Sequence, residues 1–230
     1  MENTAGRQRL IGSEDDYLYW ERKYEIALEF MRSRQHSSGS LIEIAAQHPL
    51  IDGTIPNEEF EKRLLLGKSI YEKERAQGQS VQIYIPGSVH VHNGIKDKIS
   101  LSRAGRVFLE GKGVPGEDLF GEALNEKYKP GKGVYNSADE CYVASCYFKD
   151  SEFGRLISVC SPAQMMRKTI HYIEFGVLPL NYTAPVCESH HNYFYEIFEA
   201  IPYALFVDPS MQGEDSIKAN EIRNQRAPGD

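Results

Sequence analysis

Apolar positions along the chain fall into two rhythms, one of helical spacing and one of short runs. Residues 14–34 repeat Trp20, Tyr24, Ala27, Leu28 and Met31 at helical intervals, and Ser13 followed by acidic residues suits a helix start. After the loop 35–40, the apolar run 41–46 predicts a buried strand. A loop with Asp52, Gly53, Thr54 and Pro56 then opens a helix that places Phe60, Leu64, Gly67 and Tyr71 on one face. Residues 81–85 (VQIYI) read as a strand running into a polar loop over 86–98. The pattern over 101–112 is helical and is stopped by Gly113 and Pro115, and a weaker strand is expected over 118–121. A loop over 125–136 leads to a helix over 137–148, then to a strand at 156–160 (LISVC). Pro162 fits the first turn of a helix over 163–175 that ends at Gly176, and 177–180 reads as a last strand. A further helix is expected over 190–200, with Tyr193, Ile197 and Ile201 on one side.

Strands that alternate with helices over connections of this length pair in parallel. The expected fold is an α/β, Rossmann-like three-layer domain with a mostly parallel sheet and extra N- and C-terminal helices. Residues 1–40 would form a helical extension, 41–208 the α/β domain, and 209–230 a polar tail.

Composition adds exclusions. Of 230 residues, 41% are hydrophobic and 26% charged, which is the balance of an ordinary globular chain rather than a low-complexity one. No run approaches the roughly 20 apolar residues of a membrane span, and the charged first 30 residues lack a secretory core, so a cytoplasmic protein without a membrane partner is expected. A net charge of −7 argues against a nucleic-acid partner, which a basic surface would serve. Cys141, Cys146, Cys160 and Cys187 form no CxxC pair and read as reduced thiols, with Cys160 in the core.

In doubly wound sheets ligands sit outside the carboxyl ends of the strands, and the polar clusters of this chain fall there. Gly87 and Ser88 follow the VQIYI strand, either as a tight turn or as backbone N–H donors to a ligand. His90 and His92, two apart, have no clear third partner for a metal, so no metal site is expected; an imidazole titrating near neutrality suits acid–base work. Asp97 is placed either to orient such an imidazole or to begin the next helix. Tyr135, Asn136 and Ser137 precede Asp139 and Glu140, which is helix-start chemistry; alternatively Asn136 and Glu140, on one face, point toward the cleft. Ser161, Gln164 and Arg167 follow LISVC, where a helix N-terminus offers free N–H donors and partial positive charge to an anion. Arg167 would face an anionic group or pair with Glu140.

From Arg63 to Ala184 the order of motifs resembles the YdcF/SanA/ElyC family of bacterial Rossmann-like proteins. The resemblance rests on Arg63-Leu64 before a strand, Pro86-Gly87-Ser88 where the family usually has Ser-Gly-Gly, and Gly113-Val114-Pro115. It continues through Glu122, the stretch from Tyr135 to Glu140, and the run from Val159 to Arg167 with Gly176 closing the helix. Two departures stand out: Gln47-His48-Pro49 replaces a glycine-rich loop after the first strand, and Gln164 stands where the family has histidine. The resemblance implies nucleotide-like or S-adenosylmethionine-like ligands, without a certain cofactor.

Together these features lead to an enzyme (a transferase, lyase or hydrolase) acting on a nucleotide-like or S-adenosylmethionine-like substrate. His90, His92, Asp97 and Glu140 are the candidate catalytic residues. Gly87, Ser88, Tyr135, Asn136, Ser137, Ser161, Gln164 and Arg167 are the candidate ligand-binding residues. The alternative is a non-catalytic ligand-binding or regulatory module using the same cleft. A methyltransferase proper fits less well without the glycine-rich loop. The expected partner is a small polar or anionic molecule, and a homodimer is left open.

Overall fold

A computed structural model of the chain describes residues 14–92 and 94–184. The helix expected over 190–200 and the tail 209–230 lie outside these residues, as does the side chain of His92. The chain runs through α1 (Glu14–Ser33), β1 (Ser40–Ile44), α2 (Glu58–Ala76) and β2 (Val81–Tyr84). The two-residue strands β3 (Val91–His92) and β4 (Ile95–Lys96) precede α3 (Leu101–Gly111) and β5 (Leu119–Phe120). Then come α4 (Glu122–Tyr128), α5 (Ser137–Asp150), β6 (Arg155–Cys160), α6 (Pro162–Glu174) and β7 (Leu180–Thr183).

Five strands form one sheet in the order β5-β2-β1-β6-β7, and every neighbouring pair is parallel. Among the described residues β3 and β4 pair antiparallel as a separate ribbon, and Ile51 and Ile55 form an isolated antiparallel bridge. The fold is therefore α/β, a mostly parallel sheet flanked by helices. Side chains alternate across a strand, and both faces of β1 and β6 are buried. Ile42, Ile44, Ile157 and Val159 pack with Phe60 and Leu64 of α2 and Leu101 and Leu109 of α3. Leu41 and Leu156 pack on the other face with Cys141 and Phe148 of α5 and Tyr172 of α6.

Local chemistry sets the helix ends. Asn57, Ser100 and Asn136 each accept a hydrogen bond from a backbone N–H of the first turn of α2, α3 and α5. Gly67 lets α2 approach the sheet closely: a Cβ there would lie 2.3 Å from Ile44 Cδ1. The four residues expected to share a face, Phe60, Leu64, Gly67 and Tyr71, are all buried.

Three expectations shift. The predicted loop 125–136 contains the end of α4, a seven-residue helix in which Leu124 is the one buried apolar residue, too little for a periodic signal. The last strand begins at Leu180 rather than at 177, because Val177 turns into the α5–α6 core with its N–H on the Tyr172 carbonyl. In α1 the packing face is Ala27, Phe30 and Met31, while Tyr24 is 47% exposed.

Candidate functional site

The carboxyl ends of β1, β2, β5 and β6 open onto one edge of the sheet. Leaving β1, the chain is fixed by Arg63 of α2, a wholly buried arginine. Its guanidinium donates to the carbonyls of Ala45 (3.2 Å) and Ala46 (3.1 Å) and to Gln47 Oε1 (3.2 Å), and pairs with Glu59. Leaving β2, Gly87 adopts φ +103°, and a Cβ there would meet Leu101 Cβ at 2.8 Å and Ala46 Cβ at 3.2 Å. Glycine is required on both counts.

Beyond Gly87 the loops fasten together. Ser88 N–H donates to the Val134 carbonyl (2.9 Å), and Val134 N–H donates to Ser88 Oγ (2.8 Å). The rings of His48 and His90 stack with centroids 4.7 Å apart, and Tyr135 meets His90 edge-on at 5.7 Å. Loops following β1 and β2 thus join the segment that leads into α5. At the β5 end, Ser100 Oγ donates to Glu122 Oε1 (2.6 Å), tying the starts of α3 and α4. A cleft of about 620 Å³ along α3 and β5 reaches Gly121 and Glu122 and is lined also by Arg103 and Arg106.

Beneath this rim lies a buried charge cluster. Glu43 of β1 is paired in register with Tyr84 of β2 and Ser158 of β6, all facing the α5–α6 layer. Lys168 Nζ donates to Glu43 Oε1 and to Glu140 Oε2, both at 2.7 Å. Ser158 Oγ (2.8 Å) and Tyr172 OH (3.1 Å) donate to Glu43 Oε2. The side chains of Glu43 and Lys168 are 0% exposed and that of Glu140 is 10% exposed.

Burial raises the pKa of Glu140; Lys168 opposes this, while Glu43 adds to it. Burial works against the charge of Lys168, but Glu140 and Glu43 outweigh it and hold the ammonium well above the usual lysine range. Burial, then Glu140, pushes the Tyr84 hydroxyl up, and it donates to Asn125 Oδ1 at 2.6 Å. Burial raises the Cys160 thiol to about 11, so it is no ready nucleophile. His171 is driven down to about 3 by burial, then by Arg167 and Lys168.

The sequence-derived candidates meet several fates. Gly87, Ser88, His90 and Tyr135 come together at the rim. Asp97 is buried, and its N–H donates to the His90 carbonyl at 2.9 Å; the helix-start role falls to Ser100. His92 lies in β3. Asn136 caps α5 through its side chain, with Asp139 N–H donating to Oδ1 at 2.9 Å, and Ser137 is the first residue of that helix. Asp139 is itself held by Lys129 and by the Tyr135 N–H. Ser161 precedes α6 and makes no side-chain cap bond. Gln164 Oε1 is buried and has no hydrogen-bond partner among the described residues. Arg167 lies beside His171, and the neighbouring Lys168 is the residue that pairs with Glu140.

Four residues escaped the sequence reading as site candidates: His48, Glu122, Glu43 and Lys168. His48 was visible only as part of the stretch that replaces a glycine-rich loop, and Glu122 only through the family resemblance. Glu43 is marked as the one charge inside the apolar run 41–46, where a buried carboxylate needs a partner, whereas nothing local marks Lys168. Among the described residues no group of three or more His, Cys, Asp or Glu is placed to hold a metal ion. No helix among them is long and apolar enough to cross a membrane. Comparison with models of known families, with curated proteins and with solved structures finds no match.

Proposed function

We propose that this chain is an enzyme acting on a small polar substrate, nucleotide-like or S-adenosylmethionine-like, held at the carboxyl ends of the parallel strands. The observation that carries the reading is the meeting of three separate segments at His48, His90 and Tyr135. Stacked rings at a strand-end rim offer a flat face to a heterocycle. The backbone at Gly87 and the start of α6 at Ser161 supply donors for an anionic group, with Gln164 in the same turn. His90, His92, Asp97 and Glu140 are the groups available for proton transfer. The motif order shared with the YdcF/SanA/ElyC family points the same way.

A thermal-shift series with AMP, ATP and S-adenosylmethionine tests this. A ligand at about 100 times its dissociation constant adds roughly 2.7 kcal/mol of stability, and His90→Ala should abolish most of the shift. Absence of a shift with every member of the series would overturn the reading.

A non-catalytic binding module is the second reading. It is favoured by two of the candidate proton carriers, Asp97, which is buried, and Glu140, which is paired with Lys168. Prolonged incubation with a ligand that binds separates the two, since only an enzyme yields product.

A further inference from the structure

Two buried carboxylates share one lysine beneath the rim, and only one of the three side chains reaches solvent. Lys168 sits between Glu43 and Glu140 at 2.7 Å from each, so with all three charged the cluster carries one surplus negative charge. A surplus charge in a low-dielectric interior is unfavourable, and a proton on one carboxylate removes it. Glu43 is already engaged as an acceptor by Lys168, Ser158 and Tyr172. Glu140 takes one such bond from Lys168, and it stands in the first turn of α5, its backbone N–H on the carbonyl of Asn136, the residue that follows Tyr135 of the rim. It is therefore the member that can exchange a proton with solvent or a ligand.

We propose that Glu140 is the proton-exchanging group of the rim, and that Glu43 and Lys168, sealed beneath it, are positioning residues that hold its carboxylate and set its charge. This rests on the reading of the rim as a ligand site. The charged and titratable groups facing Glu140 come from every neighbouring element: Lys168 and Tyr172 of α6, Glu43 of β1, Arg63 of α2, Tyr84 of β2, Cys160 of β6, and Asp139 and Cys141 of its own helix. Asp139 is already neutralised by Lys129, and Arg63 by Glu59. Lys168 and Glu43 remain as the pair whose balance decides the charge of Glu140. They act in opposite directions: the lysine favours the anion, and Glu43 favours the proton.

The test is a titration of the full-length chain carrying ¹³C-carboxyl glutamate, with the Glu140 signal identified by its loss in Glu140→Gln. In the wild-type chain Glu140 should release its proton above the ordinary glutamate range. In Glu43→Gln its midpoint should fall by about one pH unit or more, the usual reach of an adjacent charge. Lys168→Met should move it upward, and Lys168→Arg should leave it near the wild-type position. Ser158→Ala removes a hydrogen bond to Glu43 without changing charge and should leave the midpoint in place; a merely loosened core would move it as well. An ordinary midpoint in the wild type overturns the proposal, even if the variants fail to fold. So does a midpoint unmoved by Glu43→Gln.

AMP and S-adenosylmethionine, added as probes, should shift the wild-type midpoint when they bind. Binding that leaves Glu140 unmoved overturns its role at the rim while the rim itself stands. If neither probe binds, the rim reading falls, and Glu43→Gln still decides whether the buried pair governs Glu140.

Discussion

Lys168 shows how little a single position reveals of its role. A lysine in a polar helix segment is expected in water, but this one is 0% exposed and contacts Glu43, 125 positions away. Lys168→Met would leave two buried carboxylates without a cation, and urea unfolding should show a loss of about 3–5 kcal/mol. Glu140 and His171 should give opposite pH signatures. The folded pKa of Glu140 is raised above its ordinary 4.5, so its contribution is complete below that value and is lost as pH rises through the folded value. Unfolding midpoints across a pH series should therefore show Glu140→Gln gaining on the wild type as pH increases. The folded pKa of His171 is depressed from 6.5 to about 3, so stability falls as pH drops through that window. His171→Gln should remove this acid-side loss. If the two variants tracked the wild type at every pH, these titrations would not couple to folding. Candidates with local meaning were easier to find: Gly87 and Ser88 follow a strand end, and Asn136 sits before acidic residues in a helix start.

Among the elements, those with strong periodicity were legible and those held by contacts were not. Residues of α2 expected on one face are buried together, and α3, α5, β2 and β6 lie where apolar spacing put them. The short α4 and the ribbon of β3 and β4 were missed, since Val91 and Ile95 are 60% and 75% exposed and carry no burial pattern. Capping is testable here: Asn136→Ala should cost about 1 kcal/mol in chemical denaturation, because the Asp139 N–H loses its acceptor. Contact between α2 and β1 is testable too. Gly67→Ala places a methyl group against Ile44, and a loss of about 1–3 kcal/mol is expected, partly restored by adding Ile44→Val. Without such rescue, the close approach at Gly67 would not be the source of the loss.

For the molecule as a whole, crossover connections bring loops far apart in sequence to one edge of the sheet. The zipper between Ser88 and Val134 and the contacts of His48, His90 and Tyr135 exist only because β1 and β2 are neighbours and the approach to α5 crosses over them. Ligand stabilisation and its loss in His90→Ala therefore test an assembled surface rather than any one motif. Hydrophobic rhythm by itself determined most strands and helix faces, since these depend on spacing within a few residues. The alternation of strand and helix with long connections pointed to an α/β class with parallel pairing. The sequence order of polar residues also placed polar clusters in the loops that follow the strands. Tertiary structure alone decided that Lys168 joins Glu43 to Glu140 and that His48 reaches His90. Such pairings depend on which strands lie side by side, and that order is set by packing across the entire sheet.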